Sequence, residues 1–100
     1  MRGAIRRYDL NYDLAFDTDL SRLDAFVYPA IKSAVSLLTH QAEVATRHRR
    51  PLNAPVSWYP EATWRLRIGD YRVLYRVDRN RVLLLRVLLK GSRTTEEMGP

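Results

Sequence analysis

The chain has 100 residues, 46% of them apolar, which is enough for one buried core; one domain over 1–100 is expected, and the composition argues against disorder. It has no cysteine, which excludes a disulfide framework and a thiolate metal site, and its net charge of +6 directs attention to anionic partners. No apolar run approaches the ~18 residues of a membrane span, because Arg86 and Lys90 bracket the longest, and the basic N-terminus has no apolar segment behind it; no signal peptide, no membrane and a cytoplasmic location are expected.

Residues 8–16, YDLNYDLAF, alternate strictly, with Tyr8, Leu10, Tyr12, Leu14 and Phe16 on one side, which predicts a half-buried strand. Asp17 or Thr18 can then cap a helix on which Leu20, Leu23 and Val27 recur at helical spacing. Pro29 sits where a second helix would begin. Ile31, Val35, Leu38 and Ala42 fall on one stripe beside Ala34 and Ala45, predicting a single amphipathic helix over 29–47. The segment TRHRRPLNAPVSWYPEA contains three prolines and reads as a long loop of the kind that carries function. Strands are predicted at 64–68, 71–78 and 82–89, joined by two-residue turns at Gly69-Asp70 and Arg79-Asn80. The polar tail KGSRTTEEMGP is expected to fray. The sum is an α+β fold of order β-α-α-β-β-β, a small, mostly antiparallel sheet with two helices packed on one face.

The basic residues are fifteen arginines and only two lysines, Lys32 and Lys90. Residues 1–50 carry 8 basic and 6 acidic groups; residues 51–100 carry 9 and 5, so the excess lies in the second half. With two-residue turns, one sheet face collects Trp64, Leu66, Ile68, Tyr71, Val73, Tyr75, Val77, Val82, Leu84 and Leu88, a core face. The other collects Arg65, Arg67, Arg72 and Arg76, with Arg67 directly opposite Arg72. Like charges across a strand pair repel, and Asp70 and Asp78 cannot neutralise four cations. An external anion is the simplest use for such a cluster, and nucleic acid is the common polyanion. On the same face Leu74, Leu83, Leu85 and Val87 form an exposed apolar strip, which suggests a docking surface for a partner chain. Arg86 falls on the core face, either snorkelling at the sheet's end or marking a register slip that would swap the faces of residues 82–89.

Elsewhere the blander chemistry competes. The run Arg47, His48, Arg49, Arg50 is either a cationic helix C-terminus or an RNA contact. Trp64, Tyr71 and Tyr75 read as core, Trp58 and Tyr59 as anchors of the proline-rich loop in preference to platforms for a stacked base, and Arg79 and Arg81 as plain surface charge at a turn. His40 and His48 have no third ligand at metal-binding spacing, so neither a metal nor another cofactor is expected. Glu96 and Glu97 lie too near the end of the chain to serve as catalytic acids.

The hairpin WRLRIGDYRVLYRVD and the upstream TRHRRPL resemble the RelE/ParE superfamily of bacterial type II toxin–antitoxin toxins, and the RelE-like subgroup in particular; the tail element KGSRTTEEM is similar as well. The resemblance spans roughly residues 8–98. It implies a RelE-like fold and a cytoplasmic toxin neutralised by a cognate antitoxin in a hetero-oligomer. It further implies translation inhibition by a metal-independent endoribonuclease, an mRNA interferase, in which a 2′-hydroxyl attacks the neighbouring phosphate, usually on the ribosome. By motif position Arg65, Arg67 and Arg72 correspond to the basic residues that bind and orient the scissile phosphate, and Lys90 or Arg93 to a later basic residue that assists the leaving group. Arg47, His48, Arg49, Arg50 and Arg76 would bind RNA, and Leu74, Leu83, Leu85 and Val87 the antitoxin. Met98 stands where RelE carries a late tyrosine, and arginine is a poor general base, which leaves His48 as the nearest titratable residue. The ParE branch of the same superfamily poisons DNA gyrase without such a constellation, and a degenerate relative would only bind antitoxin.

Overall fold

The computed structural model describes residues 6–91, 93–94 and 96–98. A strand β1 (Asp9–Tyr12) leads into helix α1 (Leu14–Ser21), then α2 (Tyr28–Ser36) and α3 (Leu38–Gln41). Strands β2 (Arg49–Pro51), β3 (Trp64–Ile68), β4 (Tyr71–Asp78) and β5 (Arg81–Leu89) follow, and a short 3₁₀ turn spans Glu96–Met98. The five strands form one sheet in the order β1-β5-β4-β3-β2, antiparallel except for the β1–β5 pair.

Both predicted hairpins form as read, with Ile68 opposite Tyr71 and Val77 opposite Val82. Gly69 supplies a positive φ of 57° at the first turn, and Arg79 takes the same value at the second. The core face holds Leu66, Val73, Tyr75, Val82, Leu84 and Val87 against Phe16, Ile31, Val35, Leu38 and Ala42. The predicted helical stripe is therefore the one that seals the sheet, and each fully buried aliphatic side chain there contributes ~1.5–3 kcal/mol. Trp64 stacks on Tyr75 with ring centroids 6.0 Å apart, and the buried Tyr75 hydroxyl donates to the Ala42 carbonyl at 2.7 Å. Burial raises the Tyr75 pKa above the usual tyrosine value.

Four expectations are corrected. The first strand stops at Tyr12, and Asp13 is the N-cap of α1, so Leu14 and Phe16 lie on a helix; Asp17 falls in its first turn. Strand alternation and helix spacing coincide over such a short apolar pattern, and the sheet needs only four residues here to pair with β5. The long helix breaks at Leu37 and ends at Gln41, where the Arg49 guanidinium takes its carbonyls. The proline-rich segment contains a strand: Arg49, Arg50 and Pro51 pair with Leu66, Arg65 and Trp64. Proline is tolerated there because β2 is an edge strand. Finally, the tail is ordered in part: the Thr94 N–H donates to Glu97 Oε1 (2.8 Å), the Glu97 N–H donates to Thr94 Oγ1 (3.2 Å), and Met98 is buried.

The second hairpin also carries a β-bulge. Tyr75 pairs with Leu84 but Leu74 pairs with Arg86, so Leu85 is an extra residue on β5. The faces of residues 86–89 swap while those of 82–84 do not. Val87, expected on the outer face, is 1% exposed in the core, and Leu88, expected in the core, lies opposite Arg72 on the outer face. Arg86 thereby joins the arginine face.

Candidate functional site

Cross-strand register assembles the site on the outer face. Arg50 of β2 lies opposite Arg65 of β3, and Arg67 of β3 opposite Arg72 of β4. Four guanidinium groups thus stem from three adjacent strands that lie ~4.8 Å apart. Among the described residues none of the four has a carboxylate at salt-bridge distance; the ion pairs there involve Arg6, Arg81 and Arg86 instead.

The electrostatics follow. The Arg65 pKa is lowered by burial and then by the charges of Arg50 and Arg67. The Arg72 pKa is lowered by burial and then by Arg65 and Arg67, with Asp70 opposing. Each stays a cation at neutral pH. Arg72 is 8% exposed; its Nη1 donates to the carbonyls of Gly69 and Tyr71, both at 2.9 Å, while its buried Nε has no partner among the described residues. Arg67 is exposed and Arg65 partly so. The arrangement gathers four cationic groups on one face, with the Arg72 guanidinium held by two carbonyls at its floor and Arg67 exposed at its rim.

The remaining basic residues divide. Arg49, expected to touch RNA, is 4% exposed and points to the core side: its Nη1 donates to the carbonyls of Gln41 (2.9 Å) and Val44 (3.0 Å), and its Nη2 to Gln41 Oε1 (3.2 Å). It caps a helix end, and burial there removes its guanidinium from any RNA contact on the surface. Arg47 and His48 form the tip of a tight turn closed by Thr46 and Arg49. The His48 carbonyl accepts the Arg67 N–H at 2.7 Å, so this tip abuts the cluster. Arg76 is exposed and reaches the Glu61 carbonyl (3.4 Å). The Lys90 N–H donates to the Asp70 carbonyl (2.8 Å), which sets Lys90 beside the Gly69-Asp70 turn that Arg72 also grips. The Arg93 guanidinium donates to the carbonyls of Leu89 and Lys90 at the end of β5.

The apolar strip expected to face a partner is not exposed. Leu74 is 0% and Leu85 6% exposed, both packed with Ala62 and with Leu52, Trp58, Tyr59 and Leu83; Val87 lies in the core. The chain's own proline-rich segment covers the strip, as burial of so much apolar surface requires. Trp58 and Tyr59 are the loop anchors that the sequence suggested. Arg86, which the sequence could not place, forms a two-pronged ion pair with Asp19 (2.6 and 3.0 Å), and Asp19 Oδ2 also accepts the Val87 N–H (3.1 Å). Its pKa is raised by the Asp19 hydrogen bond, the reverse of Arg65 and Arg72. The two most exposed large apolar side chains among the described residues lie in and near the first helix: Leu14 is 79% and Phe26 90% exposed. They neighbour in sequence a groove of about 300 Å³ lined by Tyr12, Phe16, Leu20, Tyr28, Ile31 and Val35 among others. No helix among the described residues is long and apolar enough to cross a membrane.

Comparison with known proteins adds a family. The model of the ParE toxin of type II toxin–antitoxin systems, parDE, matches residues 10–93. A chain of the RelBE2 toxin–antitoxin complex from Mycobacterium tuberculosis is similar, with 27% identity, TM-score 0.64, and coverage of 81% of this chain and 95% of that one. A chain of the archaeal RelE–RelB complex from Pyrococcus horikoshii shares the fold at 19% identity and TM-score 0.68, covering 86% and 98%. A chain of the DinJ–YafQ complex from E. coli does so at 16% identity and TM-score 0.58, covering 81% and 91%. No curated protein matches the chain.

Proposed function

The chain belongs to the ParE toxin family of type II toxin–antitoxin systems, and from that premise we propose that this toxin acts on RNA, as a RelE-like endoribonuclease that cleaves messenger RNA in the cytoplasm, on the ribosome. The observation that supports it is the cluster of Arg50, Arg65, Arg67 and Arg72, drawn together against mutual repulsion with no carboxylate in reach among the described residues. A scissile phosphate would relieve that repulsion on binding. As the 2′-oxygen attacks phosphorus and the 5′-oxygen departs, leaving a 2′,3′-cyclic phosphate, the phosphorane gains negative charge that fixed guanidinium groups stabilise. Arg72, immobilised by two carbonyls, orients the phosphate; Arg65 and Arg67 close on it.

Arginine does not accept the 2′-hydroxyl proton. His48 takes that role, since its turn abuts Arg67. Lys90 protonates the leaving oxygen from beside the 69–70 turn; Arg93 is less suited because a guanidinium does not give up its proton. The cognate antitoxin finds its apolar contact at the helical groove near Leu14 and Phe26, since the chain's own loop occupies the outer-face strip. Leu14→Glu should then weaken antitoxin capture while leaving cleavage intact; unchanged capture would move the contact elsewhere.

The deciding experiment maps RNA 5′ ends shortly after induced expression of wild type and Arg72→Ala. New ends inside coding regions that vanish in the variant support the ribonuclease. The matched family is described as ParE, which favours a second reading, a non-nuclease gyrase poison. Growth arrest with a DNA-damage response and no new ends would select it. Neither arrest nor new ends would mark a degenerate antitoxin-binding relative.

A further inference from the structure

We propose that Arg86 is a positioning residue: with Asp19 and Tyr59 it clamps the 52–62 segment to the outer sheet face and thereby holds Arg50 in register beside Arg65. This rests on the phosphate-binding role of the cluster given above. Residues Arg86, Leu74, Arg65 and Arg50 form one row across β5, β4, β3 and β2. The first and the last two members of that row differ only in what they meet. The Arg86 guanidinium is held by Asp19 at 2.6 and 3.0 Å and lies 5.9 Å from the Trp58 ring centroid and 5.7 Å from that of Tyr59. The Tyr59 hydroxyl donates to Asp13 Oδ2 at 3.2 Å, so the residue before α1 holds the segment directly and Asp19 within α1 holds it through Arg86.

The segment so held leads directly out of β2, whose three residues are an edge strand paired on one side only. So short a strand has little cohesion of its own. Its exit is tied down by Leu52 N–H to the Thr63 carbonyl (2.9 Å) and by the seat of Leu52, Trp58 and Tyr59 on Leu74 and Leu85. Releasing the clamp frees that seat, and with it the strand that carries Arg50. Lysine at position 86 would keep the charge but lose both the fork and the ring stacking. The β-bulge at Leu85 makes the device possible, because without it Arg86 would point into the core.

The test measures binding of a 2′-O-methylated single-stranded RNA oligonucleotide, which cannot be cleaved, to wild type, Arg50→Ala, Arg86→Lys and the double variant, at several salt concentrations. Arg50→Ala should weaken binding about tenfold and reduce the salt slope by about one. Arg86→Lys should do the same despite unchanged net charge, and the double variant should be no weaker than either single one, since Arg50 is already out of place. Additive losses, near a hundredfold together, would overturn the proposal, as would an unchanged salt slope in Arg86→Lys. Tyr59→Phe, which removes only the Asp13 hydrogen bond, gives a milder loss in the same direction and guards against a misfolded Arg86→Lys. Amide hydrogen exchange separates this proposal from the reading it rests on. Exchange at the Arg50 and Leu52 amides should quicken in Arg86→Lys and Tyr59→Phe while that of β4 is unchanged. If wild type binds no RNA, the phosphate role falls and this exchange pattern alone decides the clamp; unaltered exchange would sink it.

Discussion

The two ends of one sheet face treat the same residue type in opposite ways. At the β5 end Arg86 meets Asp19, two aromatic rings and a covering loop, and its pKa is raised. At the β3 end Arg65 and Arg72 meet one another, with Arg50 and Arg67 alongside, and their pKa values are lowered. The first arginine completes the fold, whereas the others are held in place at a cost to it. Charge of one sign gathered by register on a sheet is what the proposed phosphate role would use.

The comparison breaks most visibly at Asp19. Asp19→Ala leaves Arg86 without its partner and strips the Val87 N–H of its acceptor, so it should destabilise the fold by about 3 kcal/mol, read as a lower midpoint in urea. A loss below ~1 kcal/mol would mean that Arg86 is served by water. Arg72→Ala should act on the other side of the comparison, reducing RNA cleavage by about 10²–10³-fold in single-turnover assays with the fold retained by circular dichroism. Intermediate in size is a control on the core face. Tyr75→Phe should cost about 1 kcal/mol through its lost bond to the Ala42 carbonyl. Because the folded-state Tyr75 pKa is raised, its contribution is fully present below the unfolded value near pH 10 and is lost as pH climbs beyond it. Thermal melts from pH 8 to pH 11 should therefore decline only above about pH 10, and less steeply in Tyr75→Phe. The smallest effect has the opposite sign. Arg67→Gln removes a like charge directly opposite Arg72, so stability at low salt should rise by a few tenths of a kcal/mol, ~0.5 at most. Sodium phosphate should stabilise wild type more than it stabilises this variant at equal ionic strength; equal responses would show that no anion collects there.

Much of this contrast could be read before any coordinates. The alternation in WRLRIGDYRVLYRVD, with Gly69-Asp70 between its halves, fixes the hairpin and sets Arg67 across from Arg72. Three things were illegible for stated reasons. In VLLLRVLL apolar residues fill both phases except at Arg86, so the pattern can hint at a register slip but cannot locate the extra residue at Leu85. A three-residue strand containing Pro51 has no local signal, because its pairing with β3 depends on a partner more than ten residues away. Arg49 and Arg50 are adjacent and chemically identical in sequence, and only the pleat of β2 sends one beneath the helix end and the other to the cluster.

Local chemistry, then, is what the sequence alone determined: the hairpin, the helical stripe of Ile31, Val35, Leu38 and Ala42, an arginine face, and membership of a toxin family through motifs on those elements. These depend on side-chain periodicity and turn residues, which act over a few positions. Which arginines are neutralised and which apolar side chains are covered were decided only by tertiary structure. Each of those outcomes sets distant segments against one another, Asp19 against Arg86 and Trp58 and Tyr59 against Leu74. Charge and apolar area carry no sign of their eventual cover until the chain has closed on itself.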